Sequence, residues 1–151
     1  MAYQAAISNA AFFLGYAYLE SFLADILKEV YLRRPEILPR EKQLKYEEII
    51  STASREDLIN LMIAKEVRSV LGTSIEDVKE HFERRLSVPW PDQPKILIAS
   101  KIRNCLMRNG ARVDQRLAAA NESFVLDSIV SLQIGDVHEY GLAARYFADE
   151  L

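Results

Sequence analysis

Cysteine is almost absent from this sequence, because Cys105 is the only one among 151 residues. A single cysteine cannot form a disulfide within the chain, so we expect a reducing compartment, with the cytoplasm as the default location. Cys105 falls on the apolar side of a predicted helix. A small buried side chain is a better interpretation there than a reactive thiol.

Glycine and proline are also scarce, with five of each, and long amphipathic stretches lie between them. The chain has no internal repeat and no low-complexity segment. Half of its residues are hydrophobic and 27% are charged, which is ordinary for a soluble globular protein. The length predicts a single domain over residues 1–151 that can bury a sizeable core.

The N-terminus lacks the pattern of a targeting signal. Its apolar run from Ala10 to Leu19 follows no basic residue and is itself followed by Glu20. That arrangement argues against both a signal peptide and a membrane span. We therefore expect a soluble cytoplasmic protein without a membrane partner.

An overall excess of positive charge is lacking too, because the formal net charge is −3. Any binding of a polyanion must then be local. The segment from Lys101 to Arg116 holds five basic residues against Asp114 alone and carries +4, which leaves −7 for the rest of the chain. Basic charge is thus concentrated in one segment.

Apolar residues at steps of three and four predict an all-α fold, a compact bundle of four to five helices. Residues 121–134 are the exception, because their weak periodicity fits either a short extended hairpin or a covering loop. The predicted helices run from about Tyr3 to Leu32, from Lys42 to Leu71 with a break near Ser51–Ser54, from Ile75 to about Leu86, from Lys95 to Asn109, over one or two turns in Val113 to Ala119, and from a cap at Asp136 to the C-terminus.

The helix over residues 95–109 ends in the most unusual motif of the chain, RNCLMRNGARVD at residues 103–114. Helical spacing places Lys101, Asn104 and Arg108 on one polar face, with Arg103 at its edge. Asn-Gly at residues 109–110 predicts a left-handed cap at Gly110. A ridge of guanidinium and amide donors of this kind suits phosphate binding.

Glu20 lies at the border of the apolar stripe of the first helix. A half-buried carboxylate needs a partner, and we expect an Arg or Lys from another helix. A structural role for Glu20 is therefore favoured over a catalytic one.

The order of these features resembles the HEPN superfamily of small helical ribonucleases, and in particular its RiboL-PSP-HEPN branch. The resemblance covers most of the chain. Its segments read FFLGYAYLESFLADIL, RRPEIL, RNCLMRNGARVD and DVHEYGLAARYFADEL. In that family an Arg and a polar residue, often Asn, are followed by a His and commonly by Asn-Gly. This chain has Arg103, Asn104, Asn109 and Gly110 in those places, but Arg108 where the histidine is expected.

The resemblance implies metal-independent RNA cleavage without a cofactor, in a toxin of a toxin–antitoxin or phage-defence system. It implies a homodimer with the motif helices at the interface, and an antitoxin protein as a possible further partner. Arg103, Asn104 and Arg108 would occupy the catalytic positions, with Arg103 as the phosphate clamp. Residues expected to bind RNA phosphates are Lys101, Arg103, Arg108, Asn109 and Arg112.

Arg108 is the departure from this pattern that matters most. A histidine exchanges protons near neutral pH, whereas an arginine stays charged and only donates hydrogen bonds. Loss of a general acid–base group typically costs about 10²- to 10⁴-fold in rate. The chain is then a natural pseudo-enzyme, a variant that has lost its toxicity, or an enzyme with another base. The only histidines are His81 and His138, both on other predicted helices.

Three interpretations therefore stay open. The first is a HEPN-type endoribonuclease impaired at residue 108. The second is a non-catalytic module that binds RNA or a partner protein through its arginine ridge. The third is a purely structural dimerisation bundle in which Arg103 pairs with Glu20. The ribonuclease hypothesis requires Arg103 to be available at a twofold contact rather than held within the packing of its own chain.

Overall fold

The computed structural model describes residues 2–39 and 43–151, and these residues form seven α-helices and no β-strand. The predicted all-α fold class is confirmed, with 73% helix. The helices are α1 (Ala2–Arg33), α2 (Tyr46–Ser51), α3 (Arg55–Leu71), α4 (Ile75–Glu80), α5 (Pro94–Arg108), α6 (Gln115–Ala120) and α7 (Ile134–Glu150). A 3-10 turn at Pro35–Ile37 follows α1, and a π-helical turn at His81–Leu86 continues α4.

Four of the helices are long, with 32, 17, 15 and 17 residues, and they correspond to the long predicted helices. The count exceeds four to five because α2, α4 and α6 are separate helices of six residues each. The predicted break after Ser51 is confirmed. There Ser54 caps α3, and its hydroxyl accepts a hydrogen bond from the Asp57 amide at 3.1 Å. The predicted start at Lys42 lies outside the described residues.

The predicted cap of the last helix was wrong by three residues. Helix α7 begins at Ile134, and Gln133 is the capping residue. Asp136 lies inside the first turn, where its carboxylate accepts a hydrogen bond from the Gln133 amide at 2.7 Å. The acidic residue stabilises the helix start from within, because its charge faces the unpaired amides of the first turn.

The chain divides into two compact units. Unit 1 comprises Met1–Glu20 and Pro91–Leu151, and unit 2 comprises Ser21–Trp90. Each unit has its own buried apolar residues. Those of unit 1 include Phe12, Tyr16, Ile102, Leu117 and Phe147, and those of unit 2 include Leu23, Leu27, Tyr31, Ile63 and Phe82. The single-domain organisation expected from the length stays a prediction.

Residues 121–133 form a loop of unit 1 rather than a hairpin of their own. The segment makes one antiparallel bridge, between Ile129 and Arg112. The side chain of Asn9 on α1 also holds it: the amide Nδ2 donates to the Val130 carbonyl at 3.4 Å, and Oδ1 accepts from the Leu132 amide at 3.3 Å. The inner face of α1 is thereby fixed to the segment that precedes α7.

Candidate phosphate-binding site

Helix α5 presents an apolar face and a polar face at its C-terminal end. Ile102 and Cys105 are fully buried in unit 1. Lys101 and Asn104 on the other face are half-buried, and Arg108 in the last turn is exposed. The i, i+3 and i+7 spacing predicted from the sequence therefore places these three polar side chains along one ridge.

A tight left-handed turn ends α5 and redirects the chain. Gly110 has φ of 57° and confirms the predicted cap, and Ala111 has φ of 61°. Two amides, those of Asn109 and Ala111, donate to the Cys105 carbonyl at 3.2 and 3.0 Å. An alanine in the left-handed region is strained, and the loop supports it because the Val130 amide donates to the Ala111 carbonyl at 2.7 Å.

An open concavity of about 290 Å³ lies beside the turn, at the end of α5. All of its lining residues are polar, three of them are basic and one is acidic. They are Lys101, Asn104, Arg108, Asn109, Asp114 and Arg116. The carboxylate of Asp114 is already engaged, because it caps α6 and accepts a hydrogen bond from the Leu117 amide at 2.8 Å. The concavity is therefore cationic.

Arg108 and Arg116 supply the available charge of this concavity. Both side chains are exposed. Among residues 2–39 and 43–151, neither guanidinium has a hydrogen bond or an ion pair. A guanidinium offers five N–H donors in a planar fork, so two of them at one concavity can hold an oxyanion at two points each.

Arg103 is held by its own chain instead. Its guanidinium Nη2 lies 3.2 Å from the Glu20 Oε1, its Nη1 donates to the Asn104 Oδ1 at 3.2 Å, and its Cζ lies 6.0 Å from the centre of the Tyr16 ring. The Arg103 side chain is only 25% exposed. Glu20 thus has its partner on another helix, and this contact is the one that the third interpretation requires.

Two further residues that were predicted to bind phosphate, Arg112 and Asn109, have side chains that bond to the backbone instead. Arg112 does not line the concavity, and its guanidinium donates to the Asp127 carbonyl at 3.2 Å. Asn109 lines it, but its side-chain amide donates to the Arg112 carbonyl at 2.9 Å. Both residues therefore stabilise the turn. Arg116 was missing from the predicted site residues, although its charge had been counted with the segment.

Neither a histidine nor a cysteine is among the described residues that line the concavity. His138 is exposed on α7, and the His81 Nε2 in unit 2 forms a 2.7 Å hydrogen bond with the Tyr31 hydroxyl. The Cys105 thiol is buried, and this burial raises its pKa. The arrangement can bind an anion, and its one carboxylate, that of Asp114, is engaged as the cap of α6.

The described part of the chain contains no group of three or more His, Cys, Asp or Glu side chains that could hold a metal ion. Comparisons with protein-family models, curated protein sequences and solved structures returned no match.

The contact between Arg103 and Glu20 should contribute measurably to stability. We expect a double-mutant cycle with Arg103→Ala and Glu20→Ala to give a coupling of about 0.5–1 kcal/mol in urea unfolding, since these side chains are partly shielded from solvent. Arg145 and Asp149 form the control pair, with 79% and 67% exposed side chains. Their coupling should be near zero, and equal couplings for the two pairs would contradict a structural role of Arg103.

Proposed function

We propose that this protein binds RNA, and that it does so as a non-catalytic HEPN-type module through the concavity at the end of α5. The observation that carries the proposal is the pair of exposed, unpartnered guanidinium groups of Arg108 and Arg116 on one cationic concavity. The chain as a whole is acidic, so this concentration of available positive charge is local.

RNA is the chosen ligand because its phosphodiester oxygens match the donors that line the concavity. Arginine binds phosphate oxygens in a two-point geometry, and asparagine offers both a donor and an acceptor to a ribose hydroxyl or a base edge. Asn104 lies between Lys101 and Arg108 on the same ridge. The resemblance of residues 103–114 to the HEPN motif supports the same ligand.

Binding rather than cleavage follows from the chemistry of Arg108. Attack of a ribose 2′-hydroxyl on the adjacent phosphate needs a group that takes up a proton and a group that supplies one. Arg108 stays protonated at any physiological pH and can only stabilise negative charge. The role of an antitoxin partner and the cytoplasmic location stay predictions.

The binding test measures the affinity for a short single-stranded RNA at several salt concentrations. Arg108→Ala and Arg116→Ala should each weaken binding and reduce the salt dependence by about one released counterion, because each removes one phosphate contact. Arg145→Ala removes an exposed arginine of α7 in the same unit and should leave both quantities unchanged. Equal weakening by all three substitutions would show non-specific attraction and contradict the proposal.

An impaired endoribonuclease is the second candidate, and the packing of Arg103 against Glu20 and Tyr16 within its own chain counts against it, because that hypothesis requires Arg103 at a twofold contact. The observation that favours it is the position of Arg108, which takes the place of the family's histidine and lines the concavity beside Asn104. A histidine at residue 108 would face the same bound phosphate. The two candidates share the binding site and differ only in whether the rest of the catalytic geometry is present.

Arg108→His separates the two candidates. If the catalytic geometry is intact, the variant should cleave RNA in the presence of EDTA and leave 2′,3′-cyclic phosphate ends, since histidine restores proton transfer. Arg108→Gln is the matched control, because it also removes the charge but cannot exchange protons. A folded Arg108→His protein that binds RNA but cuts no better than Arg108→Gln would leave the non-catalytic module as the function.

A further inference from the structure

The outward face of α1 carries large apolar side chains that nothing in the described chain covers. Tyr3, Ile7, Leu14 and Tyr18 are 88%, 65%, 59% and 69% exposed. Ala10 and Ala11 are exposed between them. These six residues, which we call the outer stripe, all belong to unit 1.

The outer stripe is distinct from the face of α1 that packs into the core. Phe12, Tyr16 and Leu19 are buried on the opposite side of the helix, and Phe12 packs edge-on against Tyr140 at 5.5 Å between ring centres. An exposed helix face is normally polar and charged. Residues 2–19 contain no charged side chain at all, so this face has the composition of an interface.

The order of the outer stripe is symmetric about the midpoint between Ala10 and Ala11. Tyr3 and Tyr18 are equally distant from that midpoint, and so are Ile7 and Leu14. Two copies of the helix placed antiparallel therefore bring tyrosine against tyrosine and Ile7 against Leu14. The two alanines of each copy meet at the twofold axis, where small side chains permit close approach. Self-complementarity of this kind is what a twofold homodimer interface requires.

We propose that α1 pairs antiparallel with α1 of a second copy of this chain, through the outer stripe. Two tyrosines and two aliphatic residues of these exposures offer roughly 500 Å² of accessible surface per copy. The two copies together bury about 1,000 Å², which is the lower limit for a biological interface and the size of a weak, reversible one. No charge lies within the paired segment, so the pairing brings no like charges together.

A lipid surface is the alternative occupant, because α1 is long and apolar enough to cross a membrane by length and composition. The packing of α1 argues against that occupant. If α1 spanned a membrane, Asn9 would lose its hydrogen bonds to the backbone at residues 130 and 132. Its polar side chain would then lie unpaired in hydrocarbon. A helix lying on a membrane usually has Lys or Arg along its polar face, and residues 2–19 have neither.

The pairing also differs from the dimer that the HEPN resemblance implies, which places the motif helices at the interface. The outer stripe lies on the face of α1 opposite Tyr16, and Tyr16 is the residue against which Arg103 packs. Dimerisation through the outer stripe is therefore independent of the proposed RNA binding. Each can fail while the other holds.

Sedimentation velocity over a range of protein concentrations tests the pairing. Wild type should sediment as a dimer, and Ile7→Glu and Leu14→Glu should each weaken dimerisation at least about 100-fold, because each buries an unpaired charge. Ile134→Glu is the matched control: Ile134 is 63% exposed, against 65% for Ile7, and lies in the same unit. Circular dichroism checks that all variants are folded.

Disulfide cross-linking tests the antiparallel register. Chains with Tyr3→Cys mixed with chains with Tyr18→Cys should cross-link on mild oxidation, and neither should cross-link alone, since like positions lie roughly 22 Å apart along the helix. Wild type, with only the buried Cys105, is the background control. A monomeric wild type, a dimer insensitive to Ile7→Glu, cross-linking of like positions, or binding of monomers to phosphatidylcholine vesicles would overturn the proposal.

Discussion

The contact of Arg103 with Glu20 and Tyr16 is the interaction on which the functional geometry of unit 1 depends. It fixes the middle of α5 to α1 through an ion pair and the face of an aromatic ring. The buried side chains of Ile102 and Cys105 hold the same part of α5, and the polar ridge on its other face lines the concavity beside the left-handed turn at Gly110. Arg103 is thus held within its own chain, and in the proposed complex its neighbours Arg108 and Arg116 bind the ligand.

A role in anion binding explains why an arginine is chemically suitable at residue 108. An arginine at the place of a proton-transfer residue is a defect for catalysis, but it adds a permanent charge for anion binding. Arg116 reaches the same concavity from α6, because the turn at Gly110 and Ala111 reverses the chain and the loop at residues 127–130 holds it. Two exposed guanidinium groups, with no partner among the described residues, then line the concavity. The site that results suits retention of a phosphate backbone.

The sequence predicted much of the fold, because apolar spacing and caps are local properties. The long helices, the break before Ser54 and the left-handed Gly110 follow from such patterns. The pairing of Arg103 with Glu20 was predicted only as one of three alternatives, since residue 103 lies at the edge of the polar face and its orientation depends on residues far away in sequence. Arg116 was missed because its approach to Arg108 depends on the turn. The exposed apolar face of α1 was not predicted, because the spacing of the apolar residues indicated only the face that is buried.

The central claim is that Arg108 and Arg116 contact the RNA, while Arg103 stays bound within its own chain. The most direct measurement follows the side-chain Nε–Hε resonances of the arginines by NMR, assigned with single substitutions, while a short single-stranded RNA is added. We expect the Arg108 and Arg116 resonances to shift with RNA and the Arg103 resonance to stay unchanged. A shift of the Arg103 resonance without any change at Arg108 would contradict that claim.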